Sequence, residues 1–202
     1  MTNKFVTFNG PEGEFGGFSS KALQYPMLVN GIRIPTVEHL FQVFKFPDHP
    51  EIQEKILKQA TPVLAKRVSG GEAVKPLVRK DWDSIQVEVM NICLRVKLLW
   101  NWVSFGRLIE SSEGKDIYDL SNKFWGVIKR GDEFEGQNEL GKLLMELRDQ
   151  YVCADNHQLH SIEIPGELGL RIFNKEITPI NRSNHLLKRG TRSTEYVNQF
   201  RF

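Results

Sequence analysis

The sequence predicts a predominantly helical α+β chain with small β elements and a C-terminal extension, and three observations predict it. Helix starts recur at Pro35-Thr36, Asp48-His49-Pro50 and Thr61-Pro62, where a capping residue and a proline meet. Isolated runs such as "KFVTF" have strand character between turns. Past Tyr151 the pattern changes from helical spacing to alternation.

In chain order, "KFVTF" is followed by "EFGGFSSK", whose Gly16 and Gly17 between aromatics mark a turn or a close backbone approach. The turn "VNGIRIP" leads into the first helix, with Thr36 as its N-cap. Val37, Leu40, Phe41 and Phe44 form the buried face, and Glu38, Gln42 and Lys45 form a polar stripe on its flank. His39 lies about 100° round the helix from Glu38 and is expected on the exposed side. Two short helices follow, and "SGGEAVKP" breaks the chain after them. Residues 84–103 form the longest apolar run, too apolar all round for a surface helix, and are expected to be one central helix. The segment 111–137 is charged and loop-rich, the kind of connection that commonly carries sites. Asn138 is expected to cap a last helix with Leu140, Leu143, Leu144, Leu147 and Tyr151 on one face. The stretches "HSIEI" and "LGLRIF" then alternate around Pro165-Gly166 like a hairpin. The organisation is a domain over residues 1–152 and an extension over 153–202, hairpin-like to 180 and a basic tail from 181.

The start of the chain has no apolar leader-like run, and no stretch reaches the roughly 18 apolar residues of a membrane span. Cys93 and Cys153 lack metal-ligand spacing, which points to a reducing cytoplasmic setting. A phosphate-binding glycine loop, a serine elbow and a His/Cys metal pattern are all missing, so neither a metal nor an organic cofactor is expected. The net charge is +2, and the tail concentrates it, with five Lys or Arg against Glu195 alone.

Four blocks taken together, "FGGFSS…YPMLVNGIRIPTVEHLFQVFKF", "PVLAKRVSGGEAVKPLVRKDWDSIQVEVMNICLRVK", "FWG" and "GQNELGKLLMELRDQ", resemble the NADAR, or YbiA-like, family over residues 5–152. The resemblance implies a single YbiA-like domain, mainly helical with small β elements. It also implies an N-glycosidase acting on nucleotide-like substrates, either phosphorylated ribosylamino-pyrimidines or guanine bases carrying ADP-ribose. The functional positions it implies are Glu38, Trp82 and the residue three before the tryptophan of "FWG", which is Asp in the family and Asn122 here. Lys45, Arg79, Gly17, Ser20, Trp125 and Asn138 complete the expected substrate-binding set. Ser20 and Lys21 stand where the family usually has Asn and Phe, and the chain between Trp125 and Asn138 is longer than the family pattern.

Cleaving a ribosyl N-glycosidic bond places positive charge on the ribose and negative charge on the base. The site therefore needs a carboxylate by the sugar, a proton for the leaving base and cations for phosphates. Glu38 fits the carboxylate, although an acid in a first helical turn also simply favours the positive helix end. Trp82 fits a stacked base or an ordinary core tryptophan, and Arg79 and Lys45 fit phosphate partners or solvated cations. Asn122 can hold a hydroxyl or a water but cannot take a proton, and Asp116 and Asp119 are the acids nearest to it in sequence. The expected partner is a small nucleotide or ADP-ribosylated substrate, with nucleic acid as a carrier of the modified base and no membrane. The competing readings are a nucleotide-binding module that does not cut, and an interaction protein working through its basic tail.

Overall fold

The computed structural model describes residues 4–131, 133–152 and 159–181. The chain opens with β1, Phe5–Phe8, and a 3-10 turn at Gly16–Phe18. A hairpin follows, β2 (Met27–Val29) and β3 (Ile32–Ile34), closed by Asn30 and Gly31, both at positive φ as an Asn-Gly hairpin turn requires. Then come α1 (Val37–Val43), α2 (Pro50–Leu57), α3 (Pro62–Ser69), α4 (Trp82–Trp100) and α5 (Trp102–Glu110). After β4 (Asp116–Asp119), the hairpin β5 (Ile128–Arg130) and β6 (Glu133–Glu135) precedes α6 (Glu139–Leu147).

The architecture is α+β. α4 is its axis: Val89, Cys93, Leu94, Val96, Leu98 and Leu99 are fully buried, and it packs against α1, α5 and α6. α1 also lies against α2 and α3, and Glu38 and Gln42 of its stripe are buried, while Lys45, just past its end, is half-buried. β4 pairs in parallel with β1, matching Phe8 with Asp119. That pairing ties the 116–137 segment to the start of the chain.

Two expectations are corrected here. The run 84–103 is two helices, because Asn101 leaves helical geometry and its side-chain amide donates to the carbonyls of Lys97 and Pro26. Apolar periodicity continues on both sides of Asn101, so it could not register the break. "HSIEI" and "LGLRIF" also do not pair with one another. β7 (Ser161–Ile162) pairs with β10 (Ile180–Asn181), and nested within it β8 (Arg171–Ile172) pairs with β9 (Lys175–Glu176). The inner turn uses Phe173 and Asn174, both at positive φ, while Gly166–Leu168 is a 3-10 turn.

The described part of the extension packs on the domain. Leu159, Ile162, Leu168, Leu170, Ile172, Ile177 and Ile180 join the same apolar core as the helices. Buried Gln53 of α2 donates to the carbonyl of Arg171 and accepts from the amide of Phe173, and Asn30 bonds Glu176 and Thr178. Cys153 and the basic tail from residue 182 lie outside the described residues. Among the described residues no helix is long and apolar enough to cross a membrane.

Candidate active site

Pro35 and the Thr36 cap start α1, and the Thr36 hydroxyl accepts the amide of His39. This start turns Glu38 inward, leaving it 5% exposed. The Ser20 hydroxyl donates to Glu38 Oε2 at 2.8 Å, and the Gln42 amide donates to Oε1 at 2.6 Å. Gln42 is oriented in turn by the Ser69 hydroxyl, 2.5 Å from its Oε1. A buried carboxylate held by two donors is satisfied and fixed in direction. Gln42 was visible beforehand as part of the polar stripe. Ser69 was not, since one serine before a Gly-Gly break carries no signal of its own.

Lys45 lies one turn further on. Its ammonium sits 5.4 Å from the Trp82 ring centre and 5.8 Å from that of Phe41. Burial lowers its pKa, opposed by the charge of Glu38 and reinforced by Lys66. Phe41 meets Trp82 edge-on at 4.8 Å and Trp125 edge-on at 5.5 Å. Lys45, Trp82 and Trp125 are thus gathered around one phenylalanine, and the Glu38 charge acts on Lys45. Trp82 is only 7% exposed, so it is largely a core residue, whereas Trp125 is half-buried and is the better ring for a flat ligand.

Asn122 is exposed. Its Oδ1 accepts the amides of Phe124 and Trp125 at 3.0 and 2.9 Å, and its Nδ2 donates to the Ser121 hydroxyl. The side chain therefore builds the turn that presents Trp125, an acceptor role an aspartate fills equally well. Gly126 completes the turn because a Cβ there would come within 1.9 Å of the Asp119 carbonyl. Of the two neighbouring acids, Asp116 is exposed and Asp119 is 4% exposed. Asp119 accepts the amide and hydroxyl of Ser121. Burial raises its pKa, against the pull of those two bonds and of the Lys21 charge.

The remaining expected residues are mostly committed to the fold. The Arg79 fork grips Asp81 through Nε and Nη2 at 2.7 and 2.8 Å, which leaves buried Nη1 without a partner. The Arg79 amide donates to the carbonyl of Lys45 at 2.9 Å, so the two backbones meet. The carbonyl of Gly17 accepts from Lys97. Asn138 is not a side-chain cap: at φ 53° its amide reaches β4, accepting from Asp119 N and donating to the carbonyl of Ile117. His39 is fully buried rather than exposed, with Nδ1 on Thr36 and Nε2 on the Gln59 carbonyl. Helical angle alone missed this, because α1 is enclosed on more than one side. Cys93 is a buried free thiol whose pKa is pushed well up by burial and by Glu38, so it is inert. Among the described residues no group of three His, Cys, Asp or Glu is placed to hold a metal.

The family model of the NADAR domain matches residues 5–151. The chain belongs to the NADAR domain family. Its curated relatives include the N-glycosidase YbiA of Escherichia coli strain K12, 35% identical over 151 residues that span 74% of this chain and 90% of that protein. A riboflavin biosynthesis protein of Vibrio vulnificus is 33% identical over 147 residues, covering 72% of this chain but 38% of that larger protein. A chloroplastic riboflavin biosynthesis protein of maize is also 33% identical, over 68% of this chain and 23% of its own length. The NMR structure of Escherichia coli YbiA matches with a TM-score of 0.61 and 31% identity, over 74% of this chain and 86% of that one. The NADAR match ends at residue 151, and the packed strands 161–181 lie beyond it.

Proposed function

We propose that this NADAR protein is an N-glycosidase that hydrolyses the base–ribose bond of a nucleotide-like substrate, either ADP-ribosylated guanine, free or carried on nucleic acid, or a phosphorylated ribosylamino-pyrimidine. The observation that supports the reading is the Glu38 carboxylate, buried, held by Ser20 and Gln42, and acting through its charge on Lys45, whose ammonium lies over the Trp82 ring. In the proposed reaction water adds to the ribose carbon as the C–N bond breaks, and the base departs with a proton. Glu38 stabilises the positive ribose and accepts a proton from the water. Lys45 and the unpartnered Arg79 Nη1 draw the phosphates, and Trp125 walls the base or sugar. Asp119 supplies the second carboxyl: burial favours its protonated form, and the Ser121 hydroxyl links it to Asn122.

Asn122 itself favours one alternative, a nucleotide-binding module that has lost its proton chemistry, since an amide cannot act as a base. Base release by the natural chain, Glu38→Gln and Asn122→Asp, measured with ligand affinity, separates the two. Glu38→Gln is expected to lower release by about a hundred- to ten-thousand-fold with affinity kept. Tight binding by the natural chain without release, together with release by Asn122→Asp, would favour the binding module.

A further inference from the structure

Lys97 of α4 is 1% exposed, and its ammonium donates to the carbonyls of Gly17 and Ser19. It also lies 4.6 Å from the ring centre of Tyr25 and 4.0 Å from that of Phe105. Burial drives its pKa far down with no neighbouring charge to oppose this. An ammonium in a dry site costs more than a packed apolar side chain of similar length, and the two ring faces offset only part of that cost. Its distinctive contribution is to the two carbonyls.

Those carbonyls belong to the turn that meets Glu38. Ser20 follows directly, giving its hydroxyl to the Glu38 carboxylate and accepting the Glu38 amide on its carbonyl at 2.9 Å. A first-turn helical amide has no acceptor within its own helix, so Ser20 is what satisfies it. Gly17 is pressed into the same place: a Cβ there would lie 2.4 Å from Leu108 Cδ2 and 2.8 Å from the Tyr25 hydroxyl.

We propose that Lys97 is a positioning residue for Glu38: its ammonium holds the 16–20 turn in the shape that lays Ser20 on both the carboxylate and the amide of Glu38. The proposal rests on reading Glu38 as the reacting carboxylate, and it extends the site to a residue on α4 that does not contact Glu38. Two readouts test it. Residue-resolved amide exchange follows the Glu38 N–H without any substrate. Steady-state base release from ADP-ribosylated guanosine and from a phosphoribosylamino-pyrimidine follows the chemistry.

Lys97→Met should speed exchange at the Glu38 amide about tenfold or more while α6 amides keep their rates, and should lower kcat about tenfold with KM held. Ser20→Ala should lower kcat to a similar degree, and the double variant should fall no further than Lys97→Met alone. Unchanged Glu38 exchange in a folded Lys97→Met overturns the proposal, as do multiplicative losses in the double variant. If Lys97→Met does not fold, Gly17→Ala decides, since its methyl displaces the same carbonyl while Lys97 stays; unchanged exchange there overturns the proposal too. A natural chain that releases no base from either probe counts against the glycosidase reading, and amide exchange then decides the role of Lys97 alone.

Discussion

The two sides of the site are built differently. On the α1 side, Glu38 is gripped by side chains from three other positions, Ser20, Gln42 and, through Gln42, Ser69, all buried. On the 121–126 side, exposed Asn122 uses its side chain to hold backbone amides, and the ring it presents is half-buried. The first side fixes one functional group in direction, and the second fixes the path of a loop. A substitution should therefore act on chemistry on the α1 side and on local order on the loop side. Of the departures from the family pattern, Asn122 falls on the loop side, where the change of side chain preserves the acceptor the turn needs.

Gln42→Leu is the stronger way to break that contrast. It strips one donor from a buried carboxylate, while the Ser69 hydroxyl keeps the carbonyl of Lys66 as an acceptor. An unmet buried polar partner costs about 1–3 kcal/mol, more for a charged one. Denaturant unfolding should record a loss of at least that size, and kcat should fall more than KM rises. A Gln42→Leu protein with natural stability and turnover would mean that the Glu38 network is incidental.

Asn122 gives the milder, opposite result. Asn122→Asp keeps an oxygen for the amides of Phe124 and Trp125 and should change stability by less than about 0.5 kcal/mol. Asn122→Ala removes that acceptor and should cost about 1 kcal/mol, as loss of a side-chain cap does. The effect should be local, read as faster exchange at the Trp125 amide. If Asn122→Asp destabilises the chain more than Asn122→Ala, the side chain is doing something other than holding the turn.

How much of this could be read in advance follows the same division. The α1 stripe was legible because Glu38, Gln42 and Lys45 recur at helical spacing beside an apolar face, and the family blocks singled out Glu38. Ser20 was named as a substrate-binding candidate and as a departure from the family pattern, not as a partner of Glu38. Its bond to Glu38 joins positions 18 residues apart, which no local pattern encodes. Asn138 stands at the N-cap position as its place before an apolar run signals, but its side chain does not cap. Its left-handed backbone and its bridge to β4 depend on where β4 lies. The extension was legible as alternation and wrong in pairing, since alternation fixes which face is buried but not which strand is the partner.

The smallest effect concerns His39, next to Glu38 but facing the other way. Its Nε2 donates to the Gln59 carbonyl at 3.1 Å, which fixes the neutral tautomer with Nδ1 accepting from the Thr36 hydroxyl. Burial lowers its pKa below the ordinary 6.5, opposed by the Gln59 carbonyl and by the Glu38 charge. A group with a depressed folded pKa binds fewer protons folded than unfolded, so its contribution is complete above the unfolded value. That contribution drains away as pH falls from about 6.5 through the lower folded value. Melting temperatures at pH 7.5, 6.5 and 5.5 should therefore fall on the acid side by about 1–2 °C, at about 2–4 °C per kcal/mol for a chain of this size. His39→Asn should be less stable at pH 7.5 and show a shallower fall. Buried Asp119, whose pKa is raised, contributes with the opposite sign at lower pH and is present in both proteins, so it cancels in the comparison. Identical slopes for the natural chain and His39→Asn would show that the ring is not held neutral, and that the base of α1 is less rigid than the Glu38 side above it.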